Sequence, residues 1–229
     1  MGSVEAKLQQ VRTRIATACA ASQRPVQSVT LLAVTKTFGP QAVRDAHEAG
    51  QREFGENYVQ EALEKMQSLV DLRDQIEWHL IGPLQSNKSR AVAESFDWVH
   101  TVDRLKIAER LSAQRPANLP PLQLCLQVNI SGEPSKSGVA PADVPSLAQA
   151  VAALPRLHLR GLMAIPEPQG DFEVQRAPHH ALARLLYELN ASGLALDTLS
   201  AGMSADLEAA IAEGATIVRV GSAIFGERN

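Results

Sequence analysis

Two hydrophobic patterns alternate along the chain. One is a short, nearly continuous apolar run, as at residues 29–34, and the other is a return of apolar positions every third or fourth residue. An uninterrupted run fits a strand buried on both faces of a parallel sheet, while the second spacing fits one face of a helix. Val4, Leu8, Val11, Ile15 and Cys19 open the chain with a helical stripe, and a strand is predicted at 29–35, ended by Gly39-Pro40. A helix at 41–49, a strand at 52–54 and a helix carrying Val59, Ala62, Leu63, Met66 and Val70 follow. The same alternation predicts strands at 77–81, 98–102, 122–130, 157–165, 198–201 and 216–220, with helices between them.

The count is eight strands separated by seven helices, with no strand running directly into another. This is the signature of an α/β fold built as one closed (β/α)8 TIM barrel over residues 1–229. An open doubly wound sheet stays possible, because periodicity does not show closure. The sequence after 220 is too short for a full outer helix, and the extra N-terminal helix is expected to take its place.

Composition narrows the class. The chain is 45% hydrophobic and 21% charged, with net charge -3, which gives no electrostatic case for nucleic acid or an anionic membrane as partner. Cys19 and Cys125 fit no metal-ligand spacing and read as free thiols of a reducing compartment. No apolar stretch has the length of a membrane span and the first residues lack a signal-type hydrophobic region, so a cytoplasmic location is expected.

In a barrel, residues just past each strand share one rim. Here they include Lys36, Asn57, Gln85, Asn87, Lys88, Asn129, the Ser135-Lys136-Ser137-Gly138 loop, Ser200, Gly202, Ser204, Gly221, Ser222 and Gly226. Barrels often hold phosphate at the loops after the seventh and eighth strands. There Gly202 and Gly221 permit close backbone approach, Ser204 and Ser222 bring hydroxyls, Ser204 stands where it could cap a helix from 205, and Arg219 adds positive charge. Each alone is better explained as a turn glycine, an N-cap serine or a solvent-facing arginine. With Lys36 on the strand that closes against the eighth, the set suggests a phosphorylated aldehyde held as a Schiff base, for which pyridoxal 5'-phosphate (PLP) is the obvious candidate. His79 and His100 have no ligand-spaced partners and read as packed histidines, His179-His180 as an exposed loop or helix start, and no metal is expected.

These residues also carry a resemblance. AVTKTF at 33–38, FGENYVQE at 54–61, WHLIGPLQSNK at 78–88, QVNISGEPSKSG at 127–138, GLMAIP at 161–166, LSAGMSADLEAAI at 199–211 and VRVGSAIFGER at 218–228 resemble, in order, the motifs of the pyridoxal phosphate homeostasis protein family, also called the YggS or PROSC family. The resemblance implies a barrel similar to the N-terminal domain of alanine racemase, of PLP fold type III. It further implies Lys36 as the Schiff-base lysine, Ser204, Arg219, Gly221 and Ser222 around the phosphate, and Asn57 and His79 lining the pocket. The implied role is a monomeric carrier or buffer that hands PLP to apo-PLP enzymes without robust catalysis. A small fold-type III racemase or decarboxylase, and a barrel whose main role is a protein interaction surface, remain the alternatives.

Overall fold

The computed structural model describes residues 3–133, 137–167 and 169–226. Eight parallel strands, β1 (Thr30–Val34), β2 (Glu53–Glu56), β3 (Glu77–Leu80), β4 (Trp98–Val102), β5 (Leu122–Gln127), β6 (Leu157–Met163), β7 (Thr198–Ser200) and β8 (Ile217–Val220), pair in sequence order. β8 returns to β1 in register from Thr30↔Ile217 to Ala33↔Val220, so the sheet is a closed barrel and the open-sheet alternative falls. The helices are α1 (Val4–Ala21), α2 (Pro40–Glu48), α3 (Val59–Ser68), α4 (Ser89–Ser95), α5 (Leu105–Gln114), α6 (Val144–Ala152), α7 (Phe172–Ala191), α8 (Leu207–Ala212) and the single turn α9 (Ser222–Phe225).

Side-chain alternation divides the core in two. Leu31, Ala33, Phe54, Trp78, Leu80, Val99, Leu124, Leu126, Val218 and Val220 belong to the larger cluster, which also takes in the buried faces of the helices. Leu32, Val34, Ile81, Trp98, Cys125, Met163 and Ile217 plug the barrel interior. Each fully buried side chain of this size contributes about 1.5–3 kcal/mol, which is what holds short strands in one closed sheet. α1 starts at a Ser3 cap on the Ala6 amide, buries Leu8, Val11, Ile15, Ala18 and Cys19, and packs on α2, α8 and α9. It thus covers the seam where an eighth outer helix would lie. At Gly161 a Cβ would stand 1.8 Å from the Thr198 carbonyl oxygen, so only glycine lets β6 and β7 approach this closely.

Some local expectations need correction. Val70 is 75% exposed, because α3 ends at Ser68 and a 3-10 segment, Val70–Gln75, turns the chain outward. β5 and β6 stop at Gln127 and Met163, short of the predicted ends. His179 is buried inside α7, neither in an exposed loop nor at the helix start, and Pro178 precedes it within the same helix. The helix tolerates the missing proline N–H because Asp171 caps the Val174 amide and His179, Leu182, Leu185 and Leu189 bury one face.

Candidate functional site

At the C-terminal rim a cavity of about 490 Å³ opens between the first and the last strands, lined by Val34, Lys36, Phe38, Met203, Ser204, Ala205, Gly221, Ser222 and Gly226. A Cβ on Gly221 would lie 3.1 Å from the Val34 carbonyl oxygen, so the β1–β8 approach is close here. The loop after β7 is pinned from two helices. Asp206 accepts from the Met203 amide (2.7 Å) and from His179 Nε2 of α7 (2.9 Å). Arg14 of α1 donates to the Ser204 carbonyl (3.0 Å) while gripping Glu208 with two bonds of 2.8 and 2.9 Å. Burial pushes the Asp206 carboxyl up, but the bonds from His179 and Met203 outweigh it and hold it below the usual carboxylate range. Gly202 has φ +91, and a Cβ there would come 2.6 Å from Ala210 Cβ, so the loop lies flat on α8. On the other lip Phe38 packs on Phe225 of α9, ring centroids 5.3 Å apart.

Beneath the rim a hydrogen-bonded chain crosses the barrel interior. Arg219 Nη1 meets Ser200 Oγ at 2.8 Å, Ser200 Oγ meets His100 Nδ1 at 2.7 Å, His100 Nε2 meets His79 Nδ1 at 2.8 Å, and His79 Nε2 meets Glu77 Oε1 at 2.9 Å. Arg219 can only donate to Ser200 and the Glu77 carboxylate can only accept from His79, which fixes the two ends of the chain. Burial, reinforced by the neighbouring His79 and Arg219, holds His100 well below the ordinary histidine range, so His100 is neutral. The His79 bond lowers the Glu77 carboxyl against the opposing effect of burial. Arg219 also donates to the Ala164 carbonyl (2.9 Å), and burial brings its pKa down to about 10.

The structure therefore brings Lys36, Ser204, Gly221 and Ser222 to one cavity and leaves three expected residues out of its lining. Arg219 faces inward with Ile217 on β8, because residues two apart share a face, and its guanidinium is satisfied inside the barrel. His79 is 1% exposed, stacked on Trp98 and spent on Glu77 and His100. Asn57 lines a neighbouring pocket of about 260 Å³ with Ile81, Thr101, Gln127 and Ser137, where its buried Oδ1 has no hydrogen-bond partner among the described residues. Ser204 is not a helix cap; Asp206 holds that position. Ser135 and Lys136 lie outside the described residues. Sequence reasoning missed Glu77 and Asp206 as anchors, as well as a buried ion pair, Glu56–Lys65. The available signal was Lys65, three residues after Ala62 on the buried stripe of α3. Among the described residues no His, Cys, Asp and Glu cluster could hold a metal ion, and no helix is long and apolar enough to cross a membrane.

Fold and site define a TIM barrel with an amine, two hydroxyls and glycine backbone gathered in a cavity at its seam, an arrangement suited to a small phosphorylated electrophile. The family model for the alanine racemase N-terminal domain matches residues 7–229. The Pyridoxal phosphate homeostasis protein of Pseudomonas aeruginosa is 59% identical over 229 residues, covering 100% of this chain and 97% of that protein. Its Escherichia coli K12 namesake is 53% identical, with 100% and 98% covered. The structure of PipY from Synechococcus elongatus PCC7942 with PLP bound superposes with a TM-score of 0.85 at 38% identity, covering 97% of this chain and 100% of PipY. The chain belongs to the pyridoxal phosphate homeostasis protein family, within the alanine racemase N-terminal domain family.

Proposed function

We propose that this protein holds pyridoxal 5'-phosphate on Lys36 and serves intracellular PLP homeostasis as a carrier or buffer. The observation that carries the reading is the meeting of Lys36 with Ser204, Gly221 and Ser222 in one cavity of about 490 Å³, a volume within the usual range for a small ligand. The residues fit the group. The Ser204 and Ser222 hydroxyls and the amides that open α9 are donors for a phosphate, and Gly221 lets the backbone come near it. PLP supplies an aldehyde that condenses with a primary amine and releases water. Lys36 serves as that amine, and it must give up its proton to the surroundings before it can attack. Asn57 contributes from the neighbouring pocket, and Arg219 contributes positive charge from below without lining the cavity.

A carrier role is favoured over turnover by the cavity itself. Among the described residues that line it, Lys36 is the one titratable side chain, whereas racemisation or decarboxylation of an amino acid asks for a second acid–base group. The buried thiols Cys19 and Cys125 fit a reducing, cytoplasmic setting. Borohydride reduction of the reconstituted protein followed by peptide mapping is the test, with the adduct expected on Lys36 and lost in Lys36→Ala. An adduct elsewhere, or none, overturns the reading. Transfer to a defined apo-enzyme in the presence of a scavenger of free aldehyde tests delivery. Exchange of an amino acid α-proton in deuterated water above a free-cofactor control would instead establish the enzymatic alternative.

A further inference from the structure

Lys36 stands between two residues whose backbone groups are both tied to α3. Lys65 Nζ donates to the Thr35 carbonyl at 2.8 Å and to Glu56 Oε1 at 2.5 Å, and it reaches Glu61 Oε1 at 3.2 Å. Glu61 Oε1 accepts the Thr37 amide at 2.6 Å, and Thr35 Oγ1 donates to Glu56 Oε1 at 2.6 Å. Thr37 has φ +69, a left-handed conformation that a β-branched residue keeps only when its neighbours impose it.

The Lys65 and Glu56 side chains are 2% and 0% exposed. Two charges so deeply buried carry a heavy desolvation cost, and an apolar pair of similar volume would join α3 to the barrel at least as well. None of the three charged residues lines the Lys36 cavity. Their bonds converge on the carbonyl before Lys36 and the amide after it, which is what would be needed to fix the path of that turn.

We propose that Glu56, Lys65 and Glu61 are positioning residues that hold the Thr35–Thr37 turn so that the Lys36 amine is aimed at the aldehyde carbon of the ligand. This rests on the reading of Lys36 given above. Misplacing a reacting group by about an ångström slows reaction by up to roughly 100-fold. The proposal therefore separates covalent capture from simple binding of the same phosphorylated ring.

The experiment compares two probes on the full chain. PLP can condense with Lys36, and pyridoxine 5'-phosphate, its alcohol counterpart, cannot. Lys65→Met removes the buried cation, and Glu61→Ala, at a position about one-third exposed, removes the acceptor of the Thr37 amide with little risk to folding. Stopped-flow absorbance is expected to show covalent capture of PLP slowed roughly 10- to 100-fold in both variants, with the calorimetric Kd for pyridoxine 5'-phosphate within about twofold of wild type. If both probes weaken equally, or if Glu61→Ala captures PLP at the wild-type rate, the positioning role is overturned. If the wild-type protein yields no borohydride adduct on Lys36, it is the reading of Lys36 that fails, a result independent of either variant.

Discussion

Replacing Ser200 by alanine cuts the chain of bonds through the barrel at its centre. Ser200 is 0% exposed, shares a hydrogen bond with His100 Nδ1 at 2.7 Å and accepts from Arg219 Nη1 at 2.8 Å. Alanine leaves His100 Nδ1 and a buried charged donor on Arg219 without that partner. Each orphaned group costs about 1–3 kcal/mol, the charged one toward the upper end, so a loss of about 3–4 kcal/mol is expected. For a chain of this size that is a fall in Tm of about 6–16 °C, measurable by calorimetry and by urea titration. A double-mutant cycle sharpens the test. His100→Leu alone strands His79 Nδ1 and the Ser200 hydroxyl, while the double variant strands only one group on His79 and one on Arg219. The double loss should therefore fall short of the summed single losses by about 2 kcal/mol. A Ser200→Ala protein within about 0.5 kcal/mol of wild type, or strictly additive variants, would refute the coupled chain of bonds.

Three further outcomes are expected. The folded-state pKa of His100 lies below its unfolded value, so the unfolded chain takes up the proton first and stability declines as pH falls below about 6.5, by up to about 1.4 kcal/mol per unit. Glu77, also lowered, adds its loss only as pH falls below the ordinary glutamate range, so His100→Leu should flatten the Tm profile between about pH 6.5 and 5; an unchanged slope counts against a neutral buried His100. Gly202→Ala should cost about 2–5 kcal/mol from left-handed strain and overlap with Ala210, and should weaken pyridoxine 5'-phosphate binding at the Met203–Ser204 lip, with equal affinity counting against that lip as a phosphate contact. Burial raises Cys19 and pushes Cys125 to about 12, so both thiols should react with a thiol reagent only on unfolding, and fast labelling of the native chain would contradict their burial.

The barrel was legible because parallel strands buried on both faces leave continuous apolar runs that outer helices do not share. Closure itself had to be inferred from the count. Once β8 was placed beside β1, the meeting of Lys36 with Gly221 and Ser222 followed without any coordinates. What the sequence reading left unused was parity. A strand position is read as rim or interior by whether it is odd or even, and Arg219 and His79 fall on the inward side, where partners remote in sequence consume their hydrogen bonds. His179 was misplaced because propensity is local, whereas the buried face of α7 and the His179–Asp206 bond are tertiary. The Glu56–Lys65 pair was passed over because hydrophobic patterning treats a charge as solvent-facing unless its partner is known, even where, as with Lys65, it falls on a buried stripe.

The cavity at the seam has walls made by the first and the last strands of the sheet and by the loops beyond them. A ligand seated there acts as a clasp between the two ends of the ring. A chain still on the ribosome, with β1 emerged and β8 not yet made, owns the lysine but has no receptacle, so under the proposed function capture of the aldehyde would wait for a completed barrel. The same geometry makes occupancy a measure of closure. Ligand at about 100 times its Kd would add about 2.7 kcal/mol to the stability of the whole ring rather than to one segment of it.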